Sequence, residues 1–305
     1  MTSGDIAVLA NPTAGRGRHR GLLPGVLQRL GAAGHTVRLL EAGGAEEAEK
    51  ACHRAVADGC AALVAVGGDG TVHLALQAAA SRPVAFGVVP AGTGNDFAAG
   101  VGVPADPAAA ASGIATALRD GTSVPIDLAR TVGTDGETRW FGAVLAAGFD
   151  AIVNERANRM RFPRGPRRYD VAIVAELLRL RPRRYRITLD GRPHEWDAVL
   201  VAVGNTLSYG GGMRICPDAD AGDGLLDLVV VGPISRTTLV RIKPRVYAGT
   251  HVTHPAVATY RAASIRLEAE GITTYVDGER SAALPVTVTA VPGALRLLTR
   301  THPAG

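Results

Sequence analysis

The stretch from Val64 to Val72 constrains the fold more strongly than any other part of this 305-residue chain. An apolar run that starts near Ala61 leads into it and predicts a buried β-strand. The run ends in Gly67-Gly68-Asp69-Gly70-Thr71, after which apolar residues recur with helical spacing. Asp69 is therefore expected on a tight loop between the end of a strand and the start of a helix. Such loops are the usual ligand-binding positions of an open α/β sheet.

The residue types in this loop suit a phosphate ligand that is accompanied by a cation. Glycines let the backbone approach a phosphate closely, and a helix start supplies N–H donors and a positive dipole. Asp69 would repel a phosphate unless a divalent cation lay between them. The alternative is a glycine-rich turn with a solvated Asp69. A second loop favours the ligand, because an apolar strand over residues 85–89 is followed by Pro90-Ala91-Gly92-Thr93-Gly94-Asn95-Asp96-Phe97.

Together, the two loops resemble the catalytic domain of the diacylglycerol kinase family, which includes bacterial soluble lipid kinases and sphingosine kinases. The first motif alone is shared with NAD kinases and with relatives of phosphofructokinase, whereas the pair is specific. The resemblance implies an N-terminal doubly wound α/β nucleotide-binding domain of the NAD kinase/phosphofructokinase type and a C-terminal β-rich domain of two layers. It implies that Asp69 is a catalytic residue at the Mg²⁺ of bound ATP. It also implies that ATP contacts Gly67, Gly68, Gly70, Thr71, Gly92, Thr93, Gly94, Asn95 and Asp96.

The N-terminal part of the chain alternates strands and helices, as is typical of a parallel, doubly wound sheet. A strand over 6–10, a helix over 21–30, a strand over 36–40 and a helix over 45–57 precede the Asp69 loop. The first strand ends in Asn11-Pro12-Thr13-Ala14-Gly15-Arg16-Gly17-Arg18, which resembles the first nucleotide-binding motif of the family. A turn with solvated arginines is the alternative. The resemblance implies that the nucleotide is also bound by Asn11, Pro12, Gly15 and Arg16.

The pattern changes near residue 128, which we interpret as a domain boundary. A helix over 107–119 is followed by short strand-like runs separated by turns, including one strand over 140–146. Helices are expected over 151–158 and 169–180. We therefore expect an α/β nucleotide-binding domain at 1–128 and a β-rich lipid- or acceptor-binding domain at 129–293. By analogy with the family, the segment 294–305 returns to the first domain.

Two further acidic positions follow from the resemblance. Asp127 matches the family's acidic network around the nucleotide. The block from Gly210 to Asp227 resembles a family motif in which a structural Mg²⁺ lies at a turn. Its implied ligands are the carboxylate of Asp223 and the backbone carbonyls of Asp220 and Leu225. Oxygen ligands in a turn suit a hard cation; a plain Asp-Gly hairpin is the alternative.

The segment Tyr275-Val276-Asp277-Gly278-Glu279 is a strand that ends in two carboxylates. Two residues apart on an extended chain, their side chains are expected to point the same way. Phosphoryl transfer to an alcohol needs a group that accepts the hydroxyl proton. The resemblance implies that Glu279 is this general base and that Asp277 orients it. A common surface Asp-Gly-Glu turn is the alternative.

Charge is concentrated in one part of the sequence. The formal net charge is +5, and eleven of the 33 basic residues are arginines between Arg156 and Arg186. Near an anionic membrane each basic residue contributes about 1 kcal/mol of attraction, so peripheral membrane association is one interpretation and a solvated face is the other. No nucleic acid partner is expected, because the sequence has neither a zinc-finger spacing nor an RNA-recognition signature. Three isolated cysteines and the lack of a signal peptide or spanning segment predict a cytoplasmic location.

The predicted function is a kinase that transfers the ATP γ-phosphate to a lipid alcohol, with diacylglycerol as the first-choice acceptor and phosphatidic acid as product. Three alternatives stay open. One is a kinase for another hydroxylated amphiphile, such as a sphingoid base, phosphatidylglycerol or a secondary metabolite. Another is an NAD kinase-like enzyme, against which the Gly94-Asn95-Asp96 loop and the Asp277 turn argue. The third is a non-catalytic nucleotide- or lipid-binding regulator. A homodimer is compatible with each.

Overall fold

A computed structural model describes residues 4–10, 19–160, 162 and 167–299. These residues form two compact units. The first contains the residues up to Leu128, Ala221–Asp223 and the residues from Val291 onwards. The second contains Ala129–Asp220 and Gly224–Ala290. Within the described ranges, no helix combines the length and the apolar character needed to cross a bilayer.

The first unit is built on a parallel sheet. Its strands run in the order β2-β1-β3-β4, and the last residues of β16 pair in parallel with β4. Strands and helices alternate: β1 (Ile6–Ala10), α1 (His19–Gly31), β2 (Val37–Leu40), α2 (Ala45–Ala57), β3 (Ala62–Gly67), α3 (Asp69–Ala79), β4 (Ala85–Pro90), α4 (Asp96–Gly100) and α5 (Pro107–Asp120). Every residue of β3 is buried, as expected for a strand with helices on both faces of its sheet.

Local sequence signals explain the helices of this unit. Helix α2 has one buried apolar face, whose residues recur at helical spacing: Ala48, Ala51, Cys52 and Ala55. The start of α5 is capped by Asp106, whose carboxylate accepts a hydrogen bond from the Ala109 N–H at 2.8 Å. Its end is set by Gly121, which adopts a left-handed conformation with φ +64°.

The second unit is a sandwich of two sheets. The six-stranded sheet has the order β12-β11-β10-β7-β14-β15, and the opposite layer contains β16, β13, β8 and β9, with β5 and β6 paired beside β16. Side chains from both layers, such as Leu145, Val203, Ile187 and Val288, share one apolar core. The strands are β5 (Val124–Val132), β6 (Thr138–Phe141), β7 (Val144–Gly148), β8 (Arg183–Leu189), β9 (Arg192–Ala198), β10 (Leu200–Gly204), β11 (Leu226–Val231), β12 (Val257–Ala262), β13 (Ser264–Glu268), β14 (Thr273–Val276), β15 (Glu279–Ala283) and β16 (Val286–Leu297).

Three α-helices and one 3₁₀ turn complete the described part of this unit: α6 (Phe149–Arg159), α7 (Arg167–Leu178), α8 (Arg236–Tyr247) and the 3₁₀ turn Thr250–Thr253. The predicted fold class, a doubly wound α/β unit followed by a β-rich two-layer unit, is confirmed.

One predicted strand was wrong, and one helix of the second unit was not predicted. The run over residues 140–146 is not one strand, because β6 ends at Phe141 and β7 begins only at Val144. Helix α8 was not predicted, because Ile242 is its one buried residue and no strong apolar stripe marks it as a helix. The C-terminal residues continue β16 without interruption to Leu297.

Candidate functional site

The two glycine loops of the first unit interlock at the ends of adjacent strands. One loop follows β3 and the other follows β4, and the Ala91 N–H donates to the carbonyl oxygen of Gly67 at 2.8 Å. The two backbones touch at Gly68 and Gly92. A Cβ atom on Gly68 would lie 3.1 Å from the Cα of Gly92, and a Cβ on Gly92 would collide with the Cα of Gly68. Glycine is therefore required at position 92 for the loops to meet, whereas a side chain at position 68 would push the loops apart by a few tenths of an ångström.

Asn95 shapes the second loop. It adopts a left-handed conformation with φ +57°, which asparagine tolerates better than most residues. Its side-chain oxygen accepts from the Gly92 N–H at 2.8 Å, and its side-chain nitrogen donates to the Gly92 carbonyl at 3.1 Å. The loop between β4 and α4 is thus held closed by one side chain.

Asp69 links the two loops. It was expected on the loop between strand and helix and is the first residue of α3, and one carboxylate oxygen accepts from the Asn95 N–H at 2.8 Å. The other oxygen faces the Phe97 N–H at 3.4 Å, at the start of α4. Backbone N–H donors thus orient the carboxylate, a contact that the sequence analysis did not foresee. The predicted role of Asp69 toward Mg²⁺ stays a prediction.

The other predicted residues of this site lie around the same loops. Thr71 is buried in the first turn of α3, and its Cβ would lie 2.6 Å from a Cβ placed on Gly67. Asp96 begins α4 and is 5% exposed. Gly70 and Gly94 are partly exposed and Thr93 is exposed. The remaining predicted nucleotide residues lie outside the described part of the chain: Asn11, Pro12, Gly15 and Arg16.

Asp127 joins three segments of the first unit. Its carboxylate accepts from the Gly293 N–H at 2.7 Å, and its own N–H donates to the carbonyl of Ala221 at 2.8 Å. Gly293 has φ +61°, a turn conformation that suits glycine. Asp127 therefore holds the first half of β5 to residue 221 and to the C-terminal part of β16. Its predicted part in nucleotide binding stays a prediction.

The predicted metal turn precedes β11. Asp223 belongs to the first unit, whereas Asp220 and Leu225 belong to the second. Burial, together with the charges of Asp218 and Asp220, raises the pKa of the nearby Asp227 to about 6. Among the described residues, no three His, Cys, Asp or Glu side chains converge on a metal position. The predicted site of one carboxylate and two backbone carbonyls stays a prediction.

The Asp277 turn of the second unit differs from the expected extended chain. Asp277 and Gly278 have φ +50° and +86° and form a two-residue hairpin loop, and Val276 pairs directly with Glu279. The expectation that the two carboxylates lie on one extended segment was therefore wrong. Glu279 is the first residue of β15, and its side chain is exposed.

The carboxylate of Asp277 holds the break between β6 and β7. It accepts from the Gly142 N–H at 3.0 Å and from the Ala143 N–H at 2.9 Å. The buried side chain of Asn205 donates to the Gly142 carbonyl at 2.9 Å. These bonds explain why residues 140–146 do not form one strand. Sequence reasoning missed the pair Gly142–Ala143, for which the glycine inside an apolar run was the only signal.

A charged network lies between α6 and the hairpin that carries Glu279. One oxygen of Glu155 accepts from the Tyr275 hydroxyl at 2.9 Å and from Arg280 Nε at 3.0 Å. The other oxygen pairs with Arg159 at 2.6 Å. Burial by itself would raise the pKa of Glu155, but these hydrogen bonds outweigh it and lower the pKa. The network attaches the hairpin to α6.

Each of the two units corresponds to a known family of domains. Residues 5–131 match the model of the diacylglycerol kinase catalytic domain, and residues 143–299 match that of the YegS C-terminal NAD kinase beta sandwich-like domain. A diacylglycerol kinase of Mycobacterium tuberculosis strain H37Rv is 43% identical over 300 residues, which cover 98% of this chain and 96% of the relative.

Solved structures share the fold. A diacylglycerol kinase of Bacillus anthracis is 24% identical with a TM-score of 0.72, and the match covers 97% of each chain. An NAD kinase of Archaeoglobus fulgidus in complex with ATP is 15% identical with a TM-score of 0.55, over 97% of this chain and 94% of that one. At these identities the two structures support the fold alone, here of the NAD kinase type. The chain belongs to the diacylglycerol kinase family, with a catalytic domain followed by a YegS-type sandwich domain.

Proposed function

We propose that this chain is a lipid kinase that transfers the γ-phosphate of ATP to the hydroxyl group of diacylglycerol and so forms phosphatidic acid. The observation that carries the proposal is the pair of interlocked glycine loops in a chain of this family. The close approach of Gly68 and Gly92 places the starts of α3 and α4 at the ends of adjacent strands, and Asp69 fixes one loop against the other. Such loops can accept phosphate groups. The name of the Mycobacterium tuberculosis relative supports diacylglycerol as the acceptor.

Glu279 is the group that we propose accepts the proton of the lipid hydroxyl. It is a carboxylate at the start of β15, exposed and therefore open to an acceptor molecule. Asp277 acts as a positioning residue, because its two oxygens hold Gly142 and Ala143 and so fix the hairpin. We further propose that Glu155, bonded to Tyr275 and Arg280, supports the same hairpin from α6.

Replacing Glu279 tests this assignment. Glu279→Gln keeps the size of the side chain but removes the base, so kcat should fall about 10²–10⁴-fold while ATP affinity stays unchanged. The assay is phosphorylation of dioctanoylglycerol, sphingosine and phosphatidylglycerol with labelled ATP, beside calorimetry with ATP. Glu137→Gln, at another exposed turn of the second unit, is the matched control.

Each outcome of that assay is informative. Phosphorylation of sphingosine or phosphatidylglycerol in preference to dioctanoylglycerol would replace the acceptor but keep the kinase. ATP binding without phosphorylation of any of the three would favour the non-catalytic regulator. A normal rate for Glu279→Gln would show that another group is the base.

We propose Mg²⁺ at two places, the nucleotide loops and the turn before β11. The residues fit a hard cation, because Asp218 and Asp220 lie close enough to Asp227 for their charges to raise its pKa. Bound at the turn, the ion would be held by Asp223 and by the carbonyls of Asp220 and Leu225 and would offset this negative charge. Asp223→Ala should then abolish any increase of the melting temperature by Mg²⁺, which wild-type protein should retain.

Peripheral binding to an anionic, cytoplasmic membrane surface is also part of the proposal. Three apolar side chains on one face of α7 are exposed: Val171 by 45%, Val174 by 57% and Leu178 by 63%. Arginines flank them, a combination typical of interfacial helices. Co-sedimentation with phosphatidylglycerol vesicles should be strong at low salt and weak at high salt, and Val174→Ser with Leu178→Ser should reduce it. Equal binding by the variant, or equal binding to neutral vesicles, would contradict this role.

A homodimer stays a prediction, which sedimentation velocity would check.

A further inference from the structure

A cavity of about 430 Å³ lies in the second unit between α6, the end of α7 and the start of β8. One part of its wall is apolar and is formed by Phe149, Ile152, Leu180 and Val199. A neighbouring cavity of about 410 Å³ shares Ile152, Glu176 and Arg183 with it, so the two are adjacent. Volumes of this size are typical of sites for small molecules.

The charged part of the wall has an excess of arginine. Arg179, Arg181 and Arg183 line the cavity, and Glu176 is the one carboxylate among its lining residues. Glu176 is already paired with Arg156. No ion pair or side-chain hydrogen bond within the described part of the chain involves Arg179, Arg181 or Arg183. Among the described residues, three arginines therefore line one cavity without an ion pair of their own.

Other arginines near the cavity do have carboxylate partners. Arg184 points to the other side of β8 and pairs with Glu195 at 2.5 Å. Arg280 and Arg159 are likewise paired, with Glu155. Arg179, Arg181 and Arg183 thus bring like charges to the wall of one cavity, where a bound anion would relieve their mutual repulsion.

We propose that this cavity binds the phosphate group of an anionic lipid. Guanidinium groups bind phosphate oxygens through two parallel hydrogen bonds, which makes arginine well suited to this ligand. The apolar wall would contact the first carbons attached to the phosphate, so an amphiphile fits it better than a free phosphate ion. The inference deepens the proposed function, on which it rests for the presence of a lipid surface, and adds an anion site separate from the Glu279 hairpin.

Calorimetry with a monomeric short-chain lipid tests the proposal without ATP and without turnover. The probes are dihexanoyl phosphatidic acid, inorganic phosphate and the neutral dihexanoylglycerol. One variant is Arg183→Gln, which replaces a half-buried side chain. The other is the double variant Arg179→Gln with Arg181→Gln, which replaces two exposed side chains. Arg184→Gln is the matched control, and thermal melts verify that each protein is folded.

Wild-type protein and Arg184→Gln should bind dihexanoyl phosphatidic acid equally, and each cavity variant should bind it at least 10-fold more weakly. This corresponds to the loss of one charge-assisted hydrogen bond. Equal affinity of wild type and both cavity variants would overturn the site. Inorganic phosphate binding as tightly as the lipid would overturn the lipid part of the proposal. Because binding is measured without ATP, these failures are distinct from a failure of the kinase assay.

Discussion

Asp69 of the first unit and Asp277 of the second show the same arrangement in two different settings. Each carboxylate follows a strand end and faces two backbone N–H groups with its two oxygens. The partners of Asp69 are 26 and 28 residues further along the chain, in a loop that has a motif of its own. The partners of Asp277 are 135 and 134 residues earlier, in a segment without a motif.

The difference concerns how each site is assembled. In the parallel sheet, successive strand ends lie at one edge, so two consecutive motifs meet as a direct consequence of the topology. In the sandwich, the hairpin of Asp277 meets the β6–β7 break only because β14 pairs with β7. A carboxylate that looks catalytic in sequence can therefore serve first to hold backbone, and the reacting group can be its neighbour.

The largest expected effect is on the interlocked loops of the first unit. Gly92→Ala places a Cβ against the Cα of Gly68, so the loops must separate and ATP affinity should fall at least 100-fold, as measured by calorimetry. Gly113→Ala is the control, because its Cβ meets nothing within 4 Å in the middle of α5. The control should gain about 0.5–1 kcal/mol of stability from its better helix propensity. Unchanged ATP binding by Gly92→Ala would disprove the role of the close approach.

A smaller effect is expected when each carboxylate loses its charge. Asp69→Asn and Asp277→Asn should each lower the free energy of unfolding by about 1.5–3 kcal/mol, because each weakens charge-assisted hydrogen bonds to backbone. Urea denaturation measures this, and Glu279→Gln should leave the value within about 0.5 kcal/mol, since its side chain is exposed. A loss confined to Asp69→Asn would mean that the two arrangements are not equivalent.

The smallest effect concerns a carboxylate that is bonded to a hydroxyl group instead of backbone. Burial raises the pKa of Asp150 to about 6, although the hydrogen bond from Tyr209 acts in the opposite direction. Because the folded pKa exceeds the unfolded value, near 3.8, the stabilisation is complete below about pH 4 and is lost as pH rises through 6.

Asp150→Asn should remove this dependence. Melting temperatures measured from pH 4 to 7 should fall with pH more steeply for wild type than for the variant. The melting temperature of the variant should still fall slightly with pH, because Asp227 also has a pKa raised to about 6. Parallel profiles would show that Asp150 does not titrate in this range.

Much of the first unit could be predicted from local patterns. The predicted bounds of α2 are those observed, because its apolar spacing depends on residues within one helix. The fold class followed from the alternation of strands and helices, and the position of Asp69 between β3 and α3 followed from the first glycine loop. Helix α4, which begins at Asp96, was not predicted. The β6–β7 break could not be predicted, since the bonds that cause it come from Asp277 and Asn205.

The sequence by itself therefore determined the family, the fold class and which residues are chemically able to act, because motifs and periodicities are properties of neighbouring residues. Only the tertiary structure decided what those residues contact. It turned Asp277 from an expected partner of Glu279 into an anchor for Gly142 and Ala143, and it brought three arginines to the wall of one cavity. The physical reason is that hydrogen bonds and charge pairs depend on distances in space, which residues far apart in the chain acquire only when the sheets form.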